Sequence, residues 1–267
     1  MRVSLLAGVV GLVSALCLGT VSAAEPDGAA IDKLIDQKIQ EYVESDAFQQ
    51  RIEAGIVEFI NKQNQARVEQ ERKAREEKVK NIAPVDPANE YVRGPVDAPY
   101  TLIEYSDYEC PYCKRFHATV LEFVKRNPDV NWVYRHFPLD FHNPGAQKQA
   151  EAAECAGSLG GGDAFWHYSD LIFERTKSNG KGFPIANLVP LAGEIGLDES
   201  AFKNCLDSEQ FKSKVLQQQA NGMQAGVTGT PGSFLRHNAS GEVVPLGGAR
   251  PLRALEGVIQ QMRDAVK

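Results

Sequence analysis

The chain has 267 residues, 43% of them hydrophobic and 24% charged, with a formal net charge of -6. That apolar content supports a true core at this length, and the acidic balance carries no basic footprint, which excludes a nucleic-acid partner. Five cysteines include four beyond the N-terminal region, too few for a disulfide scaffold of this size; those four fit redox chemistry plus one staple.

Residues 1–23 are predicted to be a signal peptide: Arg2 precedes an apolar run from Val3 to Leu18, and Val21-Ser22-Ala23 supplies small residues for cleavage. The run is shorter than the ~20 residues a membrane span needs, although an uncleaved anchor stays open. Leu16 before Cys17 argues against a lipoprotein, so Cys17 is expected to leave with the leader. The mature chain then keeps Cys110, Cys113, Cys155 and Cys205 in an export context where disulfides persist.

Residues 24–84 are predicted to form a helical segment and linker. Ile31, Leu34, Ile35, Ile39, Tyr42 and Val43 share one helical face, as do Phe48, Ile52, Ile56, Phe59 and Ile60 after a cap at Ser45 or Asp46. From Lys62 to Lys80 the composition is charged, which predicts a solvated helix or an arm. Pro84, Pro87, Gly94, Pro95 and Pro99 then punctuate the chain.

Residues 85–267 are predicted to be an α/β domain. Short β-prone runs at Tyr100–Tyr105 and Val130–Arg135 flank helix-prone sequence, and a helical insert spans about residues 144–225. A hairpin follows, from Gly232–Arg236 and Glu242–Leu246, and a final amphipathic helix runs from Pro251 to Val266.

The chemistry centres on Cys110-Pro111-Tyr112-Cys113. A Cys-x-x-Cys placed directly after a strand puts the first thiol at the positive end of a helix, which favours thiolate. Pro111 suits the first helical turn. Cys110 is therefore assigned as nucleophile and Cys113 as the buried resolving thiol. Cys110, Cys113 and His117 also have zinc-like spacing but lack a fourth ligand nearby, so no metal site is assigned.

Glu104-Tyr-Ser-Asp-Tyr-Glu-Cys-Pro-Tyr-Cys113, followed far downstream by Gly226-Val-Thr-Gly-Thr-Pro231, resembles the DsbA-like branch of the thioredoxin superfamily. The resemblance covers roughly residues 91–266 and implies a thioredoxin fold with its helical insert over the active site. It implies that Pro231 is cis and faces the thiol pair, leaving the Thr230 backbone to pair with an extended substrate. It also implies that Glu104 is buried beneath Cys113 and relays its proton; a surface carboxylate is the alternative, with Asp107 a competitor read as solvated or turn-capping. Tyr112 stands where strongly oxidising members carry histidine, implying a less extreme couple.

Cys155 and Cys205 both fall in the helical insert, as a clamping disulfide or as two buried thiols. The redox-active Cys110–Cys113 disulfide is the reactive group, and no further cofactor is expected. The N-terminal extension resembles that of the suppressor-of-copper-sensitivity protein C group and the Com-type surface antigens. That resemblance implies a homo-oligomer built through residues 28–62, with packing back onto the chain's own domain as the alternative. The expected activity is disulfide formation or isomerisation in exported, cysteine-containing proteins, with a membrane thiol redox partner and a periplasmic location, outer-membrane association being open. The competing reading is a surface protein whose thiols bind copper or zinc.

Overall fold

The computed structural model describes residues 27–265. The expected signal peptide over residues 1–23 and Cys17 lie outside them. The chain divides into two compact units that meet between Arg67 and Val68, upstream of the proline-rich stretch at which the sequence suggested a boundary.

The first unit is helical. Asp27 caps α1 (Gly28–Val43) by accepting from the Ala29 amide at 3.2 Å. Ser45 Oγ accepts from the Phe48 amide at 3.3 Å, so of the two caps considered it is Ser45 that satisfies the first turn of α2 (Asp46–Val79). The charged stretch after Lys62 continues this helix as far as Val79. It contains no Gly or Pro, and Arg72 braces it by pairing with Glu69 at 2.8 Å and with Glu76. No side chain of α1 or α2 is buried.

The second unit is an α/β fold around a five-stranded sheet in the order β1-β3-β2-β4-β5. Its strands are β1 (Val92–Arg93), β2 (Tyr100–Ser106), β3 (Val130–His136), β4 (Gly232–His237) and β5 (Val243–Gly247). β2 and β3 run parallel, joined through α3 (Pro111–Arg126), while β4 pairs antiparallel with β2 and with β5. The helical insert consists of α4 (Gly145–Arg175), α5 (Leu188–Glu194), α6 (Glu199–Asp207) and α7 (Lys212–Gln224), and α8 (Leu252–Ala265) closes the chain. β1, only two residues long, escaped the sequence reading because no period can be seen over such a length.

Every residue of β2 and β3 is buried. Such strands have no solvent face, so alternation in them separates two cores rather than inside from outside. Leu102, Trp132, Tyr134 and Leu235 pack with α3, α4 and α8 on one side. Ile103, Tyr105, Phe137 and Phe234 pack with Ile82 and Val227 on the other. Glu104 alternates with Leu102 and Ser106, on the α3 side.

α4 bends at Gly161, whose φ of 74° suits a residue without Cβ. Cys155 on α4 and Cys205 on α6 form a disulfide with Cα atoms 6.0 Å apart.

Candidate active site

β2 delivers the chain into a tight turn, Asp107-Tyr108-Glu109, that starts α3. Asp107 was expected to be solvated or to cap a turn; it is 2% exposed and does cap the turn. Its carboxylate accepts from the amides of Glu109 at 2.7 Å and Leu139 at 2.9 Å, and pairs with His142 Nδ1 at 2.7 Å. Burial pushes its pKa up despite these partners. The solvated reading fails because the turn is closed from above by Leu139 and His142, far along the chain.

Cys110 is the N-cap residue of α3, Pro111 occupies its first turn, and Cys113 lies within it. Both thiols are unpaired, Cys110 4% exposed and Cys113 wholly buried. Their surroundings drive them apart. A hydrogen bond from Cys113, helped by Thr230 and the amides of Cys113 and Tyr112, outweighs burial and lowers Cys110 to about 6. Cys113 moves well up through burial and through its interactions with Cys110, with Glu104 adding repulsion. One thiol is thus set as thiolate and the other as acid.

Glu104 is fully buried on the same side of the sheet, opposite Tyr134 on β3 and Ser233 on β4. Burial raises its pKa to about 8; Ser106 and Trp132 oppose the rise and the Cys110 charge adds to it. Neither carboxyl oxygen has a hydrogen-bond partner, and Ser106 Oγ and Trp132 Nε1 lack partners as well. Desolvation therefore governs this group, and the surface-carboxylate alternative does not apply.

The Thr230–Pro231 peptide is cis, and Cys110 Sγ donates to the Thr230 carbonyl at 3.4 Å. Tyr112 is 56% exposed, with the Arg115 guanidinium 4.6 Å from its ring centre. His117 is engaged elsewhere: its Nε2 meets Asp170 at 2.7 Å, and Asp170 also accepts from Arg93 at 2.7 Å. Among the described residues no cluster of three or more metal-ligating side chains occurs.

Glu109 went unremarked in the sequence. It precedes Cys110, is buried, and receives Gln149 Nε2 at 2.5 Å and the amides of Gly180 and Gly182 at 3.0 and 2.9 Å. Its carbonyl accepts from Asn179 at 2.7 Å. The available hint was Asn179-Gly180-Lys181-Gly182, a turn-forming run of unknown destination.

The thioredoxin family model matches residues 87–243. Pseudomonas aeruginosa DsbA2 is 34% identical, with a TM-score of 0.59 over 67% of this chain and 97% of that protein. The chain belongs to the DsbA-like branch of the thioredoxin superfamily. Salmonella enterica Typhimurium BcfH, at 18% identity, shares the fold over 87% of this chain and 96% of its own, with a TM-score of 0.61. The chain is also 36% identical over 171 residues to the Na(+)/H(+) antiporter NhaA 1 of Salinispora arenicola. That match takes in 63% of this chain, which spans only 25% of that relative's length.

Proposed function

We propose that this DsbA-like chain forms or isomerises disulfides in exported, cysteine-containing proteins through a mixed disulfide at Cys110. The observation that carries the reading is the placement of Cys110 at the N-cap of α3, 3.4 Å from the carbonyl of the cis Thr230–Pro231 peptide, with Cys113 buried one turn further in. In the oxidising direction, a substrate thiolate attacks Cys110 Sγ of the Cys110–Cys113 disulfide and expels Cys113, which takes up a proton. A second substrate thiolate then attacks the substrate sulfur of the mixed disulfide, and Cys110 leaves as thiolate. Two electrons pass from substrate to protein. In the isomerising direction, Cys110 thiolate attacks a substrate disulfide, and a substrate thiol or Cys113 resolves the mixed disulfide. Glu104, with its pKa near 8, accepts the proton Cys113 loses when it attacks and returns it in reverse. The Thr230 carbonyl, already against Cys110 Sγ, marks the edge along which an extended substrate lies.

The leader-like sequence of residues 1–23 supports export and a periplasmic site of action, where a membrane thiol partner resets the pair. The exposed apolar faces of α1 and α2, with Leu34 56% and Phe59 63% exposed, support assembly into a homo-oligomer through residues 28–62. Insulin reduction and scrambled-ribonuclease refolding, each with Cys110→Ser alongside, test the reading. Activity is expected from the parent protein and none from the variant; equal activity in the two would overturn it.

A further inference from the structure

The loop after α4 carries two lysines to the edge of the Cys110 site, on a protein that is acidic overall. Lys177 and Lys181 are exposed, and neither ammonium group has an ion-pair or hydrogen-bond partner among the described residues. Both stand two positions from Asn179, whose amide bonds the Glu109 carbonyl at 2.7 Å. That oxygen belongs to the peptide unit leading into Cys110.

The loop is fastened there from several directions. Glu109 accepts from the Gly180 and Gly182 amides, and Lys114, one turn into α3, donates to the carbonyls of Glu174 at 3.1 Å and Thr176 at 2.8 Å. Ser178, Asn179 and Gly180 are successive residues at positive φ, which curls the loop around the carboxylate. A Cβ at Gly182 would lie 1.9 Å from Glu109 Oε1, so the glycine is needed for this approach. The nearby basic side chains are otherwise engaged: Lys114 on carbonyls, Arg115 over Tyr112, Arg175 on Glu194 at 2.8 Å. The acids near these lysines are Glu174 and Asp140, both exposed, and Glu194, which lines the same cleft as Lys177 and Lys181 but is paired with Arg175, while Glu109 is buried and saturated with donors.

We infer that Lys177 and Lys181 form a substrate-selecting rim that favours cysteines flanked by acidic residues, and that Glu109 is the positioning residue that holds the rim beside Cys110. This rests on Cys110 being the sulfur a substrate meets. A residue next to a cysteine in mixed disulfide with Cys110 stands within a Debye length, ~8 Å at physiological salt, of this part of the chain. Complementary charge there raises the rate of productive encounter more than it changes the chemical step.

The test is single-turnover oxidation of three dithiol peptides, their cysteine pairs flanked by Asp, Ser or Lys, by the oxidised full-length protein and by its K177E/K181E variant. Flanking charge also shifts the peptide thiols themselves, so the deciding quantity is the change in the Asp-to-Lys rate ratio between the two proteins. That ratio is expected to fall on the order of ten-fold in the variant, with the difference shrinking at about 0.5 M salt. Glu109→Gln, which removes the charge and leaves one acceptor oxygen where three donors converge, is expected to lower the ratio in the same direction. An identical ratio in parent and K177E/K181E would overturn the rim. Failure of the parent to oxidise any of the three peptides through a Cys110 mixed disulfide would instead overturn the thiol-exchange reading, and the rim with it.

Discussion

Cys110 and Cys113 are chemically the same side chain three positions apart, and the fold gives them opposite acid-base behaviour. The first prediction is that iodoacetamide labels Cys110 with a pH midpoint of about 6, while Cys113 stays unlabelled over the same interval; prior labelling of Cys113 would reverse the roles. Because Cys110 is depressed from 9.0, it contributes stability to the reduced protein that is full above that value and is lost as pH falls through about 6. Glu104 behaves with the opposite sign. Its carboxyl is raised from 4.5 to about 8, so the fold holds the proton and the group costs stability progressively as pH rises across that window. Glu104→Gln is therefore expected to gain stability relative to the parent between pH 5 and 8, by several kcal/mol at about 1.4 kcal/mol per unit, in urea melts at several pH values. The same variant should resolve the Cys110 mixed disulfide on the order of a hundred-fold more slowly, visible by mass spectrometry of trapped complexes; a flat stability difference together with unchanged resolution would remove Glu104 from the proton path. The thiols and Glu104 were legible because strand, motif and helix start are consecutive in the chain. Asp107 and Glu109 were not, because what defines them, His142, Gln149 and the Gly180 and Gly182 amides, arrives from 35 to 73 positions away.

At the level of elements, the hydrophobic period located β2, β3, the hairpin and α8, and lost what is too short or too mixed to show one. β1 is set by pairing with Trp132 and Val133, not by its own sequence, and α4 has apolar and polar residues on all sides because much of it is buried. The insert is clamped by Cys155–Cys205, which encloses a sequence separation of 50 residues. Removing it as Cys155→Ala with Cys205→Ala restores that loop's freedom to the unfolded chain and is expected to cost about 2–4 kcal/mol. Urea denaturation with the Cys110–Cys113 pair held reduced is the measurement, and an unchanged midpoint would show that helix packing alone holds α4 to α6. A second element-scale prediction concerns the loop after α4. Gly182→Ala forces its new methyl onto the Glu109 carboxylate and is expected to destabilise by about 1–3 kcal/mol, with faster amide exchange at Asn179 and Gly180; protection equal to the parent's there would mean Glu109 does not hold the loop.

For the whole molecule, the unresolved burial problem lies in residues 28–62. Ile35, Ile39, Ile52, Ile56 and Ile60 are each about half exposed or more, on helices with no buried side chain. Isolated helices of ~15 residues are marginal in water, and apolar side chains gain on the order of 1.5–3 kcal/mol each when fully buried. A second copy of the same segment offers a matching apolar face at no cost in new sequence, and the charged continuation of α2, laced by Arg72, Glu69 and Glu76, keeps the helix wet beyond that face. Assembly also bears on which reaction dominates. A substrate released from one Cys110 remains at high effective concentration near the next, which favours repeated attack on wrong disulfides over a single oxidation. The expectation is that the mature chain is a dimer or trimer by light scattering, and that Ile39→Glu with Ile56→Glu yields monomers whose Cys110 keeps its alkylation profile. Those monomers should retain insulin reduction per Cys110 and lose scrambled-ribonuclease refolding several-fold. A parent protein that is monomeric at micromolar concentration would end the assembly argument, whereas monomeric variants with full refolding activity would leave assembly standing and sever it from isomerisation.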